Sequence, residues 1–123
     1  MQIIRNRVRL SEIFTSIEGV GILFGTKTLF IRLAGCHLKC RWCDTQYALP
    51  LDSGTDYSIE DAEGLIVKNL RPFTYKVNFT GGEPLLQYEA VIKLAKFIRK
   101  NYKIKTYIES SCFDSDRFCK ILP

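Results

Sequence analysis

Apolar and polar residues alternate from Thr28 to Ala34, with Leu29, Ile31 and Leu33 on one side and Thr28, Phe30 and Arg32 on the other. A period of two over this length predicts a strand. Residues 8–14 predict a second strand, with Val8, Leu10 and Ile13 as its apolar members. Residues 75–79 and 105–109 predict two more. Ile59, Ala62, Leu65, Ile66 and Leu70 fall at helical spacing behind Ser58, so residues 59–69 predict a helix. Ser58 is suited to cap it, Glu60, Asp61 and Glu63 complement its dipole, and Arg71-Pro72 ends it. Val91, Ile92, Leu94, Ala95 and Ile98 form the buried stripe of a helix over 87–101, and Asp114 or Ser115 caps a last helix through Leu122. Residues 15–21 and 50–57 predict irregular segments. Strands alternating with helices argue for parallel β-α units. Three or four strands are too few to close a barrel.

Composition places the chain among globular proteins. It has 123 residues, 46% of them hydrophobic, which suits a single domain over 1–123 with its own core. No apolar run is long enough to span a bilayer, and the first residues lack the pattern of a secretory signal. Five cysteines in such a chain point to reduced thiols and metal binding, hence to the cytoplasm. The net charge of +5 fits a solvated basic surface, or one that attracts an anionic substrate or an acidic electron donor. Its densest part, residues 93–105, reads as the polar face of a helix rather than a nucleic-acid patch. Neither direct nucleic-acid binding nor membrane association is expected.

The chemistry concentrates in Gly35-Cys36-His37-Leu38-Lys39-Cys40-Arg41-Trp42-Cys43-Asp44-Thr45. Cys36, Cys40 and Cys43 stand at C-x3-C-x2-C, directly after the alternating strand, at the end where α/β folds place their chemistry. Three thiolates cannot pair off without leaving one over, but they can converge on one metal centre. On a 4Fe–4S cluster they leave one iron open for chemistry. The alternative is a structural zinc site completed by His37 or Cys112, although zinc spacings usually come as two separated pairs. A second motif, Thr80-Gly81-Gly82-Glu83-Pro84, follows a later strand. Its glycines let a bound molecule approach backbone, and Glu83 can accept from an ammonium group. By itself it could be a plain turn between strand and helix.

Together the two motifs resemble the radical S-adenosylmethionine (SAM) enzymes. That resemblance implies a partial (β/α) barrel within the α/β class, of which this chain carries the N-terminal half. It implies that the amino and carboxylate groups of SAM chelate the open iron. An electron from the cluster then splits SAM into methionine and a 5′-deoxyadenosyl radical. The segments Glu12-Ile13-Phe14, Ser16-Ile17-Glu18-Gly19-Val20-Gly21, Phe30-Ile31-Arg32-Leu33-Ala34-Gly35-Cys36 and Trp42-Cys43-Asp44-Thr45 are similar to the 7-carboxy-7-deazaguanine synthase family. By that resemblance the substrate is 6-carboxy-5,6,7,8-tetrahydropterin, which loses ammonia to give 7-carboxy-7-deazaguanine on the route to queuosine-type bases of tRNA. Cys36, Cys40 and Cys43 would hold the cluster. Trp42, Cys43, Asp44, Gly81, Gly82 and Glu83 would bind SAM. Ile17, Glu18, Gly19 and Thr80 would contact the pterin, and Arg32 would pair with its carboxylate. Thr45 would ligate Mg²⁺, a cation suited to hard oxygen donors. A flavodoxin or ferredoxin would supply electrons.

Three features depart from the family. Glu18 replaces the usual Gln and Val20 the usual Glu of the substrate loop, turning an amide into an acceptor-only carboxylate and a charge into an apolar group. Cys112 stands where Gly is usual, as a reactive thiol or as a buried structural one. Family members continue beyond this point, so a homodimer or a missing C-terminal half is expected to cover the open sheet edge. Two other readings stay open: another radical SAM reaction such as glycyl-radical activation, and a non-catalytic metal-binding or assembly module.

Overall fold

The computed structural model describes residues 6–17, 25–35, 54–111 and 115–121. Among these residues five strands form one mixed sheet in the order β3-β1-β2-β4-β5. They are β1 (Arg7–Ile17), β2 (Lys27–Leu33), β3 (Thr55–Ser58), β4 (Lys76–Gly81) and β5 (Lys105–Ile108). Helix α1 (Ile59–Asn69) lies between β3 and β4, α2 (Tyr88–Tyr102) between β4 and β5, and α3 (Ser115–Ile121) follows β5. A 3₁₀ turn, Pro84–Gln87, leads into α2.

The expected parallel β-α units hold for β2, β4 and β5, which pair parallel. They do not hold for β1 and β3, which both run antiparallel to their neighbours. For β1 and β2 the difference follows from connectivity: residues 18–26 between them are fewer than the dozen or more that a parallel crossover needs. β3 falls in the stretch expected to be irregular. It is short and lies at the sheet's edge, paired through its backbone with β1, and only Tyr57 packs against the core. β1 also runs on through Thr15, Ser16 and Ile17, all exposed, because their backbone pairs with Lys27, Thr28 and Leu29.

One face of the sheet is apolar. Leu29, Ile31 and Leu33 of β2 and Val77 and Phe79 of β4 pack under Ile59, Ala62 and Ile66 of α1 and Val91, Leu94 and Ile98 of α2. Each of these Val, Leu, Ile and Phe side chains contributes roughly 1.5–3 kcal/mol of burial free energy. Ser58 caps α1 as expected, its hydroxyl accepting from the Asp61 N–H at 3.1 Å. Among the described residues no helix is long and apolar enough to cross a membrane.

A bulge in β1 settles which residues reach the core. Leu10 pairs with Leu33, yet Glu12, two positions on, pairs with the adjacent Arg32. Ser11 is the extra residue, and it shifts the alternation by one. Val8 and Leu10 before it and Ile13 after it therefore share the helix-covered face, while Glu12 and Phe14 join Arg32 on the other.

Candidate functional site

β2 and β4 lie side by side and parallel, so their C-terminal ends, Leu33-Ala34-Gly35 and Gly81-Gly82-Glu83, come together. The contact is backbone on backbone. Gly35 leaves the strand at φ 95°, a conformation that suits glycine. Its carbonyl oxygen accepts from the Glu83 N–H at 2.7 Å. A Cβ on Gly82 would stand 2.3 Å from that same oxygen, and one on Gly81 would stand 2.6 Å from the Leu33 carbonyl oxygen. The space freed by the two glycines is thus filled by the chain's own carbonyls.

Glu83 is 2% exposed. Its Oε2 accepts from the Leu85 N–H at 2.9 Å and the Ser110 hydroxyl at 2.7 Å. Its Oε1 accepts from the Ser111 N–H at 2.8 Å and the Ser111 hydroxyl at 2.7 Å. An ionised carboxylate has about four acceptor positions, and these four donors match them. The group caps the 3₁₀ turn and fastens the loop after β5 to the glycine loop.

Gln87, also 2% exposed, is a second fastening. Its Oε1 accepts from the Arg9 N–H at 2.8 Å, and its Nε2 donates to the carbonyls of Arg9 at 2.9 Å and Ala34 at 3.1 Å. One buried amide so ties the start of α2 to β1 and to the residue before Gly35. Arg117 of α3 donates to the Leu85 carbonyl at 3.1 Å and lies over the Tyr88 ring, steadying the same turn from outside.

The sheet face away from the helices carries polar groups. Arg32 and Thr80 are direct cross-strand partners on it, as are Phe30 and Asn78. Thr80 donates to Glu109 Oε2 at 3.1 Å, and Asn78 Nδ2 to Glu109 Oε1 at 3.0 Å. Arg32 Nε donates to Glu12 Oε1 at 2.9 Å. The alternation of β2 left the orientation of Arg32 open; the pairings put it opposite the core, beside Thr80. Ile17 is not brought to them. It pairs with Lys27 at the start of β2, five positions along β1 from Glu12, or about 17 Å at strand rise. Its side chain is exposed.

Cys36, Cys40, Cys43, Trp42, Asp44, Thr45, Glu18 and Gly19 lie outside the described residues, as do His37, Val20 and Cys112. Among the described residues no group of three or more His, Cys, Asp and Glu side chains is placed to hold a metal ion. The donor set in sequence nonetheless fits an iron–sulfur cluster: three soft sulfur ligands begin immediately after Gly35, whose carbonyl is held by Glu83. Glu12, Gln87, Ser110, Ser111 and Glu109 were not anticipated from sequence. Asn78 and Thr80 could have been paired with a polar face, since they alternate with Val77 and Phe79.

Comparison with known proteins bears on these groups. A family model described as a 4Fe-4S single cluster domain matches residues 17–121. The chain is 45% identical over 80 residues to 7-carboxy-7-deazaguanine synthase of Hyperthermus butylicus, covering 65% of this chain and 33% of that protein. It is 36% identical over 113 residues to the Rhodopirellula baltica protein of the same name, covering 92% of this chain and 42% of the relative. The crystal structure of QueE from Escherichia coli superposes with a TM-score of 0.72 at 27% identity, covering 85% of this chain and 52% of that one. The chain spans well under half the length of these two curated relatives.

Proposed function

The chain belongs to the family of 4Fe-4S single cluster domains, and from that premise we propose that it forms the cluster-bearing part of a radical SAM lyase. Its fold is then part of a radical SAM (β/α) barrel, and its reaction converts 6-carboxy-5,6,7,8-tetrahydropterin to 7-carboxy-7-deazaguanine with loss of ammonia. The observation that carries this reading is the junction of the two motifs. The glycine loop is packed against Gly35, the residue before Cys36, at the ends of neighbouring parallel strands. The names of the relatives, 7-carboxy-7-deazaguanine synthase, support the choice of product.

Cys36, Cys40 and Cys43 would hold the cluster, which when bound supplies the electron that cleaves SAM to methionine and a 5′-deoxyadenosyl radical. Trp42, Cys43, Asp44 and the Gly81-Gly82-Glu83 loop would line the SAM site, and Thr45 would ligate Mg²⁺. Glu83, whose carboxylate is occupied by chain donors, would act on SAM by holding the loop backbone in place. Arg32 would grip the pterin carboxylate, with Thr80 beside it; Glu18 and Gly19 would be further contacts, whereas Ile17, exposed at the far end of β1, would not reach the same molecule. Holding the pterin C6–H near the adenosyl carbon and excluding water are the protein's share of the rate. A cytoplasmic flavodoxin or ferredoxin would supply electrons, and a second protomer or further chain would complete the barrel.

The test is anaerobic reconstitution with iron and sulfide, reduction, and addition of SAM and the carboxypterin with and without Mg²⁺. A brown chromophore lost in Cys36→Ala, 5′-deoxyadenosine, and the deazaguanine product by mass are expected. A colourless protein carrying one zinc ion would overturn the proposal. A cluster without 5′-deoxyadenosine would point instead to an assembly module.

A further inference from the structure

Arg32 is held on two sides. Glu12 sits directly across from it at the bulge, and its Oε1 accepts from Nε at 2.9 Å. Below the guanidinium lies Phe14, 5.6 Å from Cζ to the ring centroid. Phe14 is itself stacked on Phe30, with centroids 5.2 Å apart and planes 15° apart. The Arg32 side chain is 14% exposed and that of Glu12 39%. Among the described residues, the terminal nitrogens Nη1 and Nη2 make no hydrogen bond.

A guanidinium is a planar fork of five N–H donors. With Nε engaged and one face against a ring, the edge left for a ligand is the end-on pair Nη1 and Nη2. That pair matches the two oxygens of a carboxylate. A carboxylate beside Arg32 would by charge alone weaken its attraction for another anion. Its position at Nε gives a different benefit: the side chain is ordered before the ligand arrives, so binding need not order it. The bulge is what allows this, because a regular alternation running through Ser11 would carry Glu12 onto the same face as Leu10.

We infer that Glu12 is a positioning residue that presets Arg32 to read the carboxylate of the substrate. The inference rests on the reading above in which Arg32 meets the substrate carboxylate, and it deepens that reading by naming what gives the site its selectivity.

Two substitutions separate position from charge. Glu12→Asp keeps the charge but withdraws the acceptor by one methylene; Glu12→Gln keeps the reach and an oxygen acceptor but removes the charge. The probes are 6-carboxypterin and pterin lacking the carboxylate, titrated by fluorescence into anaerobically reconstituted protein with SAM. The measured quantity is the affinity ratio between the two probes. Glu12→Asp is expected to lower that ratio by about three- to tenfold, the range for ordering one long side chain on binding. Glu12→Gln is expected to stay within about twofold of the parent, because Nε keeps its acceptor. The opposite pattern, with Glu12→Asp unchanged and Glu12→Gln altered, would overturn the inference and assign Glu12 an effect of charge. Arg32→Ala tests the underlying reading separately. If it keeps the parent's preference for the carboxylated probe, Arg32 is not the carboxylate's partner, and both statements fail. If it loses the preference while Glu12→Asp does not, only the role of Glu12 fails.

Discussion

Replacing Gly82 by alanine tests whether the glycine loop is built for packing within the chain. The added methyl would lie 2.3 Å from the Gly35 carbonyl oxygen, 2.9 Å from the Leu33 carbonyl oxygen and 3.0 Å from the Gly35 carbonyl carbon. All three are backbone atoms, so no side chain can swing aside. The two strand ends must part, which strains or breaks the 2.7 Å hydrogen bond from the Glu83 N–H to Gly35. Overpacking of this kind costs about 1–3 kcal/mol, and a buried backbone pair left unmade adds about 1–3 kcal/mol. A total near 4 kcal/mol is a large fraction of the roughly 6–18 kcal/mol expected for a domain of this length. Urea unfolding followed by circular dichroism should show it as a midpoint lower by about 2 M, for a slope of about 2 kcal/mol per molar. Gly64→Ala is the control. Gly64 lies inside α1 with nothing within 4 Å of its Cβ position, so alanine there should add about 0.5–1 kcal/mol. The effect at Gly82 should appear in protein that has never met iron or SAM, because its cause is steric and internal. A Gly82→Ala protein within about 1 kcal/mol of the parent, with Gly64→Ala behaving as stated, would refute the reasoning.

Gln87→Leu should cost about 2–5 kcal/mol in the same assay, since the part-buried Arg9 N–H and the buried Ala34 carbonyl lose their partner; a neutral substitution would show that these groups find other partners. Glu83→Ala should cost about 3–5 kcal/mol by removing a buried carboxylate with four donors around it. A double-mutant cycle with Ser111→Ala should return a coupling of about 1 kcal/mol or more, and additive effects would show that the two do not act as a clamp. Deleting Ser11 should leave Leu10 opposite Leu33 and Glu12 opposite Arg32, so thermal melts should retain a cooperative transition, whereas deleting Ile31 should abolish it.

What was legible in the sequence followed periodicity. β2 alternates strictly because one of its faces is buried and the other is not, and α1 declares itself through Ser58 and its apolar stripe. β3 was not legible, because an edge strand needs backbone pairing and not an apolar pattern. The apolar members of β1 gave a half-visible sign: Val8, Leu10 and Ile13 are spaced by two and then by three, and the odd interval is the bulge at Ser11. The candidate site divides the same way. Cysteine spacing and the Gly-Gly-Glu-Pro run are local, so they could be found by reading along the chain. Gln87, Ser110, Ser111 and Glu12 act through partners 20 to 78 positions away, and nothing near them in sequence marks those partnerships. The glycines were read as room for a ligand, and the structure fills that room with carbonyls of Leu33 and Gly35. The two descriptions are compatible if the loop's task is to fix the strand end from which the cysteines depart. A loop that fits a ligand only when the neighbouring strand end is pressed against it must first be pressed, and side-chain-free backbone is what lets two chain segments approach so closely.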